Sequence, residues 1–111
     1  MNQVKVDVRD FWYRASCGED LYLSGQDQDA YQAQAKTRYA LEPYIPSFAG
    51  FSKARNLCVL EVGVGLGADH QRFAEAGALL SGIDLSERAV DHTRRRLSDF
   101  GLISDLAVGD A

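Results

Sequence analysis

The run Leu57-Cys58-Val59-Leu60-Glu61-Val62-Gly63-Val64-Gly65-Leu66-Gly67-Ala68 decides how this 111-residue chain is read. Its first six residues form a short, nearly continuous apolar stretch, as expected of a parallel strand covered on both faces. Glycines then follow at alternate positions. They let the backbone turn sharply and let a ligand approach closer than any Cβ would allow. A short helix is expected near Asp69–Ala76, ended by Gly77 in the left-handed conformation. The start of that helix offers unpaired N–H groups to whatever sits in the turn. A ligand-binding turn and a tight structural turn both fit this segment taken by itself.

The pattern repeats downstream. Ala78-Leu79-Leu80-Ser81-Gly82-Ile83 is a second strand, and Ser86 can cap the helix that follows. Val90, Thr93, Leu97 and Phe100 keep the helical period, with Glu87 in the first turn and Arg94, Arg95 and Arg96 in the last, as the helix dipole favours. Gly101 closes the helix, and Leu106-Ala107-Val108 is a third strand. Strand, helix, strand, helix, strand gives an α/β fold with a parallel sheet and right-handed crossovers. Asp84 falls at the carboxyl end of the second strand, about twenty residues after the first glycine, where an acid can accept both hydroxyls of a ribose. Capping the next helix is its alternative role, although Ser86 is the better cap. A third acid, Asp110, stands just beyond the third strand at the same rim.

Gly63-x-Gly65-x-x-Ala68 also satisfies a dinucleotide fingerprint, so an NAD(P)-binding oxidoreductase is one candidate. Glu61 argues against it: a carboxylate inside the turn repels a pyrophosphate and attracts a ligand ending in an ammonium. The long segment before the motif is also unusual for a dinucleotide site. That segment differs in character, holding nine of the eleven aromatic residues before position 52, whereas seven of the ten glycines lie from Gly63 onward. The change falls near Ala54-Arg55-Asn56 and divides a leader, residues 1–55, from residues 56–111. Within the leader, Phe11-Trp12-Tyr13 followed by Cys17-Gly18-Glu19-Asp20 reads as a short aromatic turn or a helix end. A helix from about Asp27 carries Tyr31, Ala35 and Tyr39 on one stripe and is bounded by Pro43 and Pro46.

Composition narrows the classes. The chain is 46% apolar and 25% charged, the balance of an ordinary folded domain. Its net charge of −4 argues against a nucleic-acid partner held by nonspecific charge. No apolar stretch is long enough to span a membrane, and the N-terminus lacks a signal pattern. Two distant cysteines, Cys17 and Cys58, indicate a reduced, cytoplasmic protein rather than a disulfide scaffold. His70 and His92 read as helix-surface residues with no third ligand nearby, so no metal site is expected. The arginine run Arg94–Arg96 reads as a helix-end cluster.

Val59-Leu60-Glu61-Val62-Gly63-Val64-Gly65-Leu66-Gly67 resembles the first motif of class I S-adenosylmethionine-dependent methyltransferases, an acid followed by G-x-G-x-G. Gly82-Ile83-Asp84-Leu85-Ser86 is similar to the family's second-strand motif, and Val108-Gly109-Asp110-Ala111 to the start of its adenine-contacting segment. The resemblance implies S-adenosyl-L-methionine as cofactor, with Glu61, Gly63, Gly65 and Gly67 around its methionine part. It further implies that Asp84 holds the ribose, that Leu85 packs beside the adenine, and that Asp110 and Ala111 approach the adenine amino group. Tyr31, Arg38 or Tyr39 would lie over the cofactor and meet its carboxylate. The acceptor is expected to be a small molecule, and no catalytic residue can be named. A complete member has a seven-stranded Rossmann-like sheet, of which this chain reaches three strands. The expectation is therefore a partial fold, inactive by itself, with an open sheet edge that favours self-association. A non-catalytic interaction domain on the same fold is a further alternative.

Overall fold

The computed structural model describes residues 3–5 and 27–111. The aromatic turn at Phe11-Trp12-Tyr13 and Cys17 lie outside the described residues.

Helix α1 spans Gln28–Leu41, and the Asp27 carboxylate caps it by accepting from the Ala30 N–H at 2.9 Å. The helix ends two residues before Pro43, and Pro46 sits instead in the first turn of α2, Ile45–Ala49, where its missing N–H costs nothing. A single 3-10 turn, Phe51–Lys53, leads to β1, Cys58–Val62. Helix α3, Ala68–Glu75, strand β2, Leu79–Asp84, helix α4, Glu87–Asp99, and strand β3, Asp105–Val108, complete the alternation read from the sequence. The strands are parallel and ordered β1-β2-β3, so chain order and spatial order agree. Ser86 caps α4 as expected, its hydroxyl accepting from the Ala89 N–H.

Among the described residues, helices cover one face of this sheet only. Val59 and Glu61 of β1, with Leu80 and Gly82 of β2, point toward the helices, whereas Leu60, Val62 and Leu79 are each more than half exposed. Among the described residues the apolar run of β1 is therefore covered on one face, not on the two expected of it. Alternation puts its second set of apolar side chains on a face that no described helix covers. Cys58 belongs to that exposed set and is a free thiol.

On the covered side, α1 packs on α3 and α4; Tyr31 and Ala35 of α1 and Val90, Thr93 and Leu97 of α4 are buried there. Phe51 meets the Phe73 ring edge-on with centroids 4.8 Å apart, a pairing worth about 0.5–1.5 kcal/mol beyond the area it buries. At the centre stands Arg96, 1% exposed. Its Nε donates to Gln71 Oε1 and its Nη1 to Gln34 Oε1, both at 2.6 Å, while Nη1 also reaches Leu66 O and Nη2 reaches Tyr31 O. Burial pushes this guanidinium down to about 10. Arg96 is thus no solvated dipole partner of the helix end: it ties α1, α3, α4 and the glycine turn together, and lies over the Tyr31 ring at 5.1 Å. His70 and His92, expected on the helix surface, are buried at 0% and 6% exposure.

Candidate functional site

The segment from Gly63 to Gly67 leaves β1 and enters α3 at the carboxyl end of the sheet. The Gly63 N–H donates to Ile83 O at 2.8 Å, which carries the β1–β2 ladder one residue past the strand. Gly63, Gly65 and Gly67 all have positive φ, of 82°, 57° and 86°. Each therefore needs glycine for its backbone, but their surroundings differ. A Cβ on Gly63 or Gly65 would stand in open space, whereas one on Gly67 would meet Thr93 Oγ1 at 2.9 Å. The first two glycines leave open space; the third lets the turn sit tightly on α4, where the Thr93 hydroxyl donates to Gly65 O.

This turn, the end of β1, the first turn of α3 and one side of α1 enclose a cleft of about 210 Å³. Its lining includes Gln34, Arg38, Glu61, Gly63, Gly65 and Asp69. The volume falls short of the roughly 300–1,000 Å³ usual for a small-molecule pocket. A larger hollow, about 550 Å³, lies at the opposite, amino end of the strands between Cys58, Leu79, Ile103 and Asp105. It holds none of the glycine turn, and the chemistry of the smaller cleft makes that the candidate site.

The cleft has an acid on one side and a base on the other. Glu61 has an 18% exposed side chain and accepts from His70 Nδ1 at 3.0 Å. Burial raises its carboxyl above the ordinary value, against the opposing pull of His70. Arg38 makes a two-pronged contact with Asp69, Nη2 at 2.8 Å and Nε at 3.1 Å, while the Tyr39 hydroxyl donates to the same carboxylate at 2.8 Å. Burial, and then that bond, push the Tyr39 phenol well above its usual range. Of the three leader residues expected over a ligand, Arg38 borders the cleft. Tyr39 turns to Asp69 and the Phe51 ring, and Tyr31 is 0% exposed beneath Arg96. Tyr31 is a core residue.

Asp84 sits beside the turn and links it to the next helix: Oδ2 accepts from the Gly65 N–H at 3.1 Å and Oδ1 from the Ser86 N–H at 2.9 Å. Ser86, not Asp84, caps α4; a carboxylate offers about four lone-pair sites, so these two contacts leave two of them unfilled. Leu85 is half-buried next to it. Asp110 and Ala111 are exposed beyond β3, and Asp110 pairs with Lys5 at 2.8 Å. Gly109 N–H donates to Asp84 O at 2.9 Å, which sets these last residues at the same end of the sheet as Asp84 but outside the lining of the cleft. Among the described residues, no group of three or more His, Cys, Asp or Glu side chains is placed to hold a metal ion.

Two residues of the site region escaped the sequence reading. Arg96 falls three residues after Thr93, on the buried stripe of α4, and that spacing was the available signal. His70 is betrayed by Gly82, a glycine in mid-strand with no positive φ to explain it. A Cβ there would meet the His70 ring at 2.8 Å.

No protein-family model and no curated protein matches this sequence. Solved structures do. The magnesium protoporphyrin IX methyltransferase of Synechocystis PCC 6803 with bound SAM superposes with a TM-score of 0.69 at 23% identity, over 99% of this chain and 56% of that one. The same enzyme with bound SAH gives a TM-score of 0.66, again at 23% identity, over 96% and 51%. The chain thus spans about half the length of the solved chains it matches. Three parallel strands in one open sheet, with helices on one face and a glycine turn at the carboxyl end, are a partial Rossmann-like methyltransferase fold.

Proposed function

We propose that this chain is the donor-binding part of an S-adenosyl-L-methionine-dependent methyltransferase acting on a small-molecule acceptor, the class to which the porphyrin in the solved neighbour's name belongs. The observation that carries this reading is the open space where Cβ atoms of Gly63 and Gly65 would stand, beside the half-buried Glu61 carboxylate. A ligand with an ammonium group satisfies that carboxylate; a pyrophosphate does not. Residues 56–111 form the donor-binding part, and residues 1–55 a leader that supplies Arg38 to the rim.

In this reading Glu61, Gly63 and Gly65 surround the amino-acid end of the donor, and Gly67 keeps the turn seated on α4. Arg38 exchanges part of its contact with Asp69 for the donor carboxylate. Asp84 receives the ribose hydroxyls on its two remaining lone-pair sites, Leu85 packs beside the adenine, and Asp110 and Ala111 reach its amino group. The bound donor supplies an electrophilic sulfonium methyl. The chain's own contribution is to hold and orient that donor, which is where positioning lowers the barrier to transfer. No residue is assigned as a general base. A cytoplasmic setting, in which Cys58 stays a thiol, belongs to the same reading.

The test is a titration followed by amide chemical shifts, which registers binding even at millimolar affinity. Adenosylhomocysteine should move the Gly63, Gly65 and Asp84 signals, and NAD should not. Shifts with NAD, or none with either compound, would overturn the proposal.

A further inference from the structure

Beneath the cleft runs a buried chain of polar groups that the donor-binding reading leaves unused. His70 is 0% exposed, and both ring nitrogens are engaged: Nδ1 with Glu61 Oε1 at 3.0 Å and Nε2 with Ser104 Oγ at 2.7 Å. The Ser104 hydroxyl in turn donates to Leu80 O at 3.1 Å. The chain thus crosses from β1 to α3, to the segment before β3, and to β2.

Two features show that this arrangement is specified rather than incidental. First, the imidazole occupies the space above Gly82, where a Cβ would meet the ring at 2.8 Å. Glycine weakens a strand interior, and Gly82 has no left-handed φ to require it; what it provides is room for the Val64, His70 and Leu106 side chains, which a Cβ would meet at 2.7, 2.8 and 3.0 Å. Second, the hydrogen-bond inventory fixes the ring. An ionised carboxylate only accepts, so Nδ1 carries a proton, and because the one Ser104 proton goes to Leu80 O, it is the Ser104 oxygen that faces Nε2 as an acceptor. The other charged groups acting on Glu61 are Asp69, which opposes its ionisation, and Arg38, which favours it.

We propose that His70 is a positioning residue: oriented by Ser104 and housed by Gly82, it donates Nδ1–H to Glu61 and holds that carboxylate ionised and aimed into the cleft. The ligand it serves is the ammonium-bearing donor of the preceding section, on which the functional half of this proposal rests. His70 touches no ligand itself. It acts as a fixed donor that orients an acid, as in other sites where a second group sets the geometry of the first.

The experiment has two arms. In the ligand-free chain, imidazole nitrogen shifts should show Nδ1 protonated, a state that Ser104→Ala keeps and Glu61→Leu, which offers no acceptor, loses. An unprotonated Nδ1 in the wild type, or a pattern unchanged by Glu61→Leu, would overturn the proposal. In the second arm, adenosylhomocysteine binding should fall roughly tenfold or more in His70→Leu, the loss of one charge-assisted hydrogen bond. His70→Asn, whose amide can donate from about the same place as Nδ1, should recover most of it. Equal loss in both variants, or no loss in either, refutes the positioning role. Where His70→Leu fails to fold, His70→Asn compared with Ser104→Ala decides, since the first keeps the donor and the second keeps the ring; a tenfold loss in His70→Asn then counts against the role. A wild type that binds no adenosylhomocysteine defeats the donor reading alone, and the imidazole pattern still reports on His70.

Discussion

Replacing Arg96 with methionine tests how the leader helix is held to the glycine turn. The substitution removes a fork that serves Gln34 Oε1, Gln71 Oε1, Leu66 O and Tyr31 O at once. Tyr31 O lies inside α1 and keeps its helical partner, and Leu66 O is the longest of the four contacts at 3.2 Å. The firm losses are the two glutamine oxygens, at about 1–3 kcal/mol for each buried acceptor left unpaired. Relief from burying a guanidinium offsets part of this, because the groups left behind are neutral. The net expectation is about 2–4 kcal/mol of lost stability, a Tm lower by roughly 10–20 °C in a domain of this size. Urea unfolding should show the midpoint falling at constant slope. Arg96→Lys should not restore the loss, since one ammonium cannot span the same fork. Combining Arg96→Met with Gln34→Leu and Gln71→Leu should restore most of it by removing the orphaned acceptors. A single variant within about 0.5 kcal/mol of wild type, or a triple variant no better than the single, would refute this account of the core.

Four further outcomes are expected. Burial raises the Glu61 carboxyl in the folded chain, so its stabilising contribution is complete below the ordinary value of 4.5 and is lost as pH rises through the folded one. Glu61→Gln should flatten that slope in thermal melts and be no less stable than wild type at pH 7, while losing adenosylhomocysteine. Asp84→Ala should lower stability by about 2–4 kcal/mol in urea unfolding even without ligand, because the Gly65 and Ser86 N–H groups both lose their acceptor. Gly67→Ala should destabilise more than Gly63→Ala in the same assay, since both are strained but only the first meets Thr93. The chain should associate with rising concentration through the uncovered face and edge of β1, and Leu60→Lys should weaken that association about tenfold or more in sedimentation.

What could be read in advance was whatever local chemistry dictates. Alternate glycines, an acid closing the second strand, a serine before the second helix and the helical period of Val90, Thr93 and Leu97 each demand their structure from neighbours in sequence. The strand order followed because short crossovers leave few alternatives. What resisted reading depended on residues far apart. Arg96 earns its buried place from Gln34, 62 residues away, and a basic residue in a last turn looks the same from the sequence whether it faces water or the core. His70 depends on a serine 34 residues on and a glycine on another strand. The apolar residues of β1 announce burial without saying which layer supplies it. At the site, the sequence placed three glycines around one ligand; only the packing of Thr93 separates the one that seats the turn from the two that leave space.

The alternation along β1 makes the pairing register of this strand a condition for ligand recognition. Glu61 lies opposite Gly82, flanked by Leu60 and Val62 on the other face. A slip of one residue would turn the carboxylate onto the uncovered face and drive a leucine or valine against His70. Hydrogen bonds just outside the strand oppose this at both ends: Leu79 N–H to Leu57 O at 2.8 Å, and Gly63 N–H to Ile83 O at 2.8 Å. A misregistered chain would keep its helices and its parallel ladder, and circular dichroism would hardly separate it from the native one. It would nonetheless be blind to a cationic ligand, so a preparation with normal secondary structure and fractional binding capacity would hold a mixture of registers.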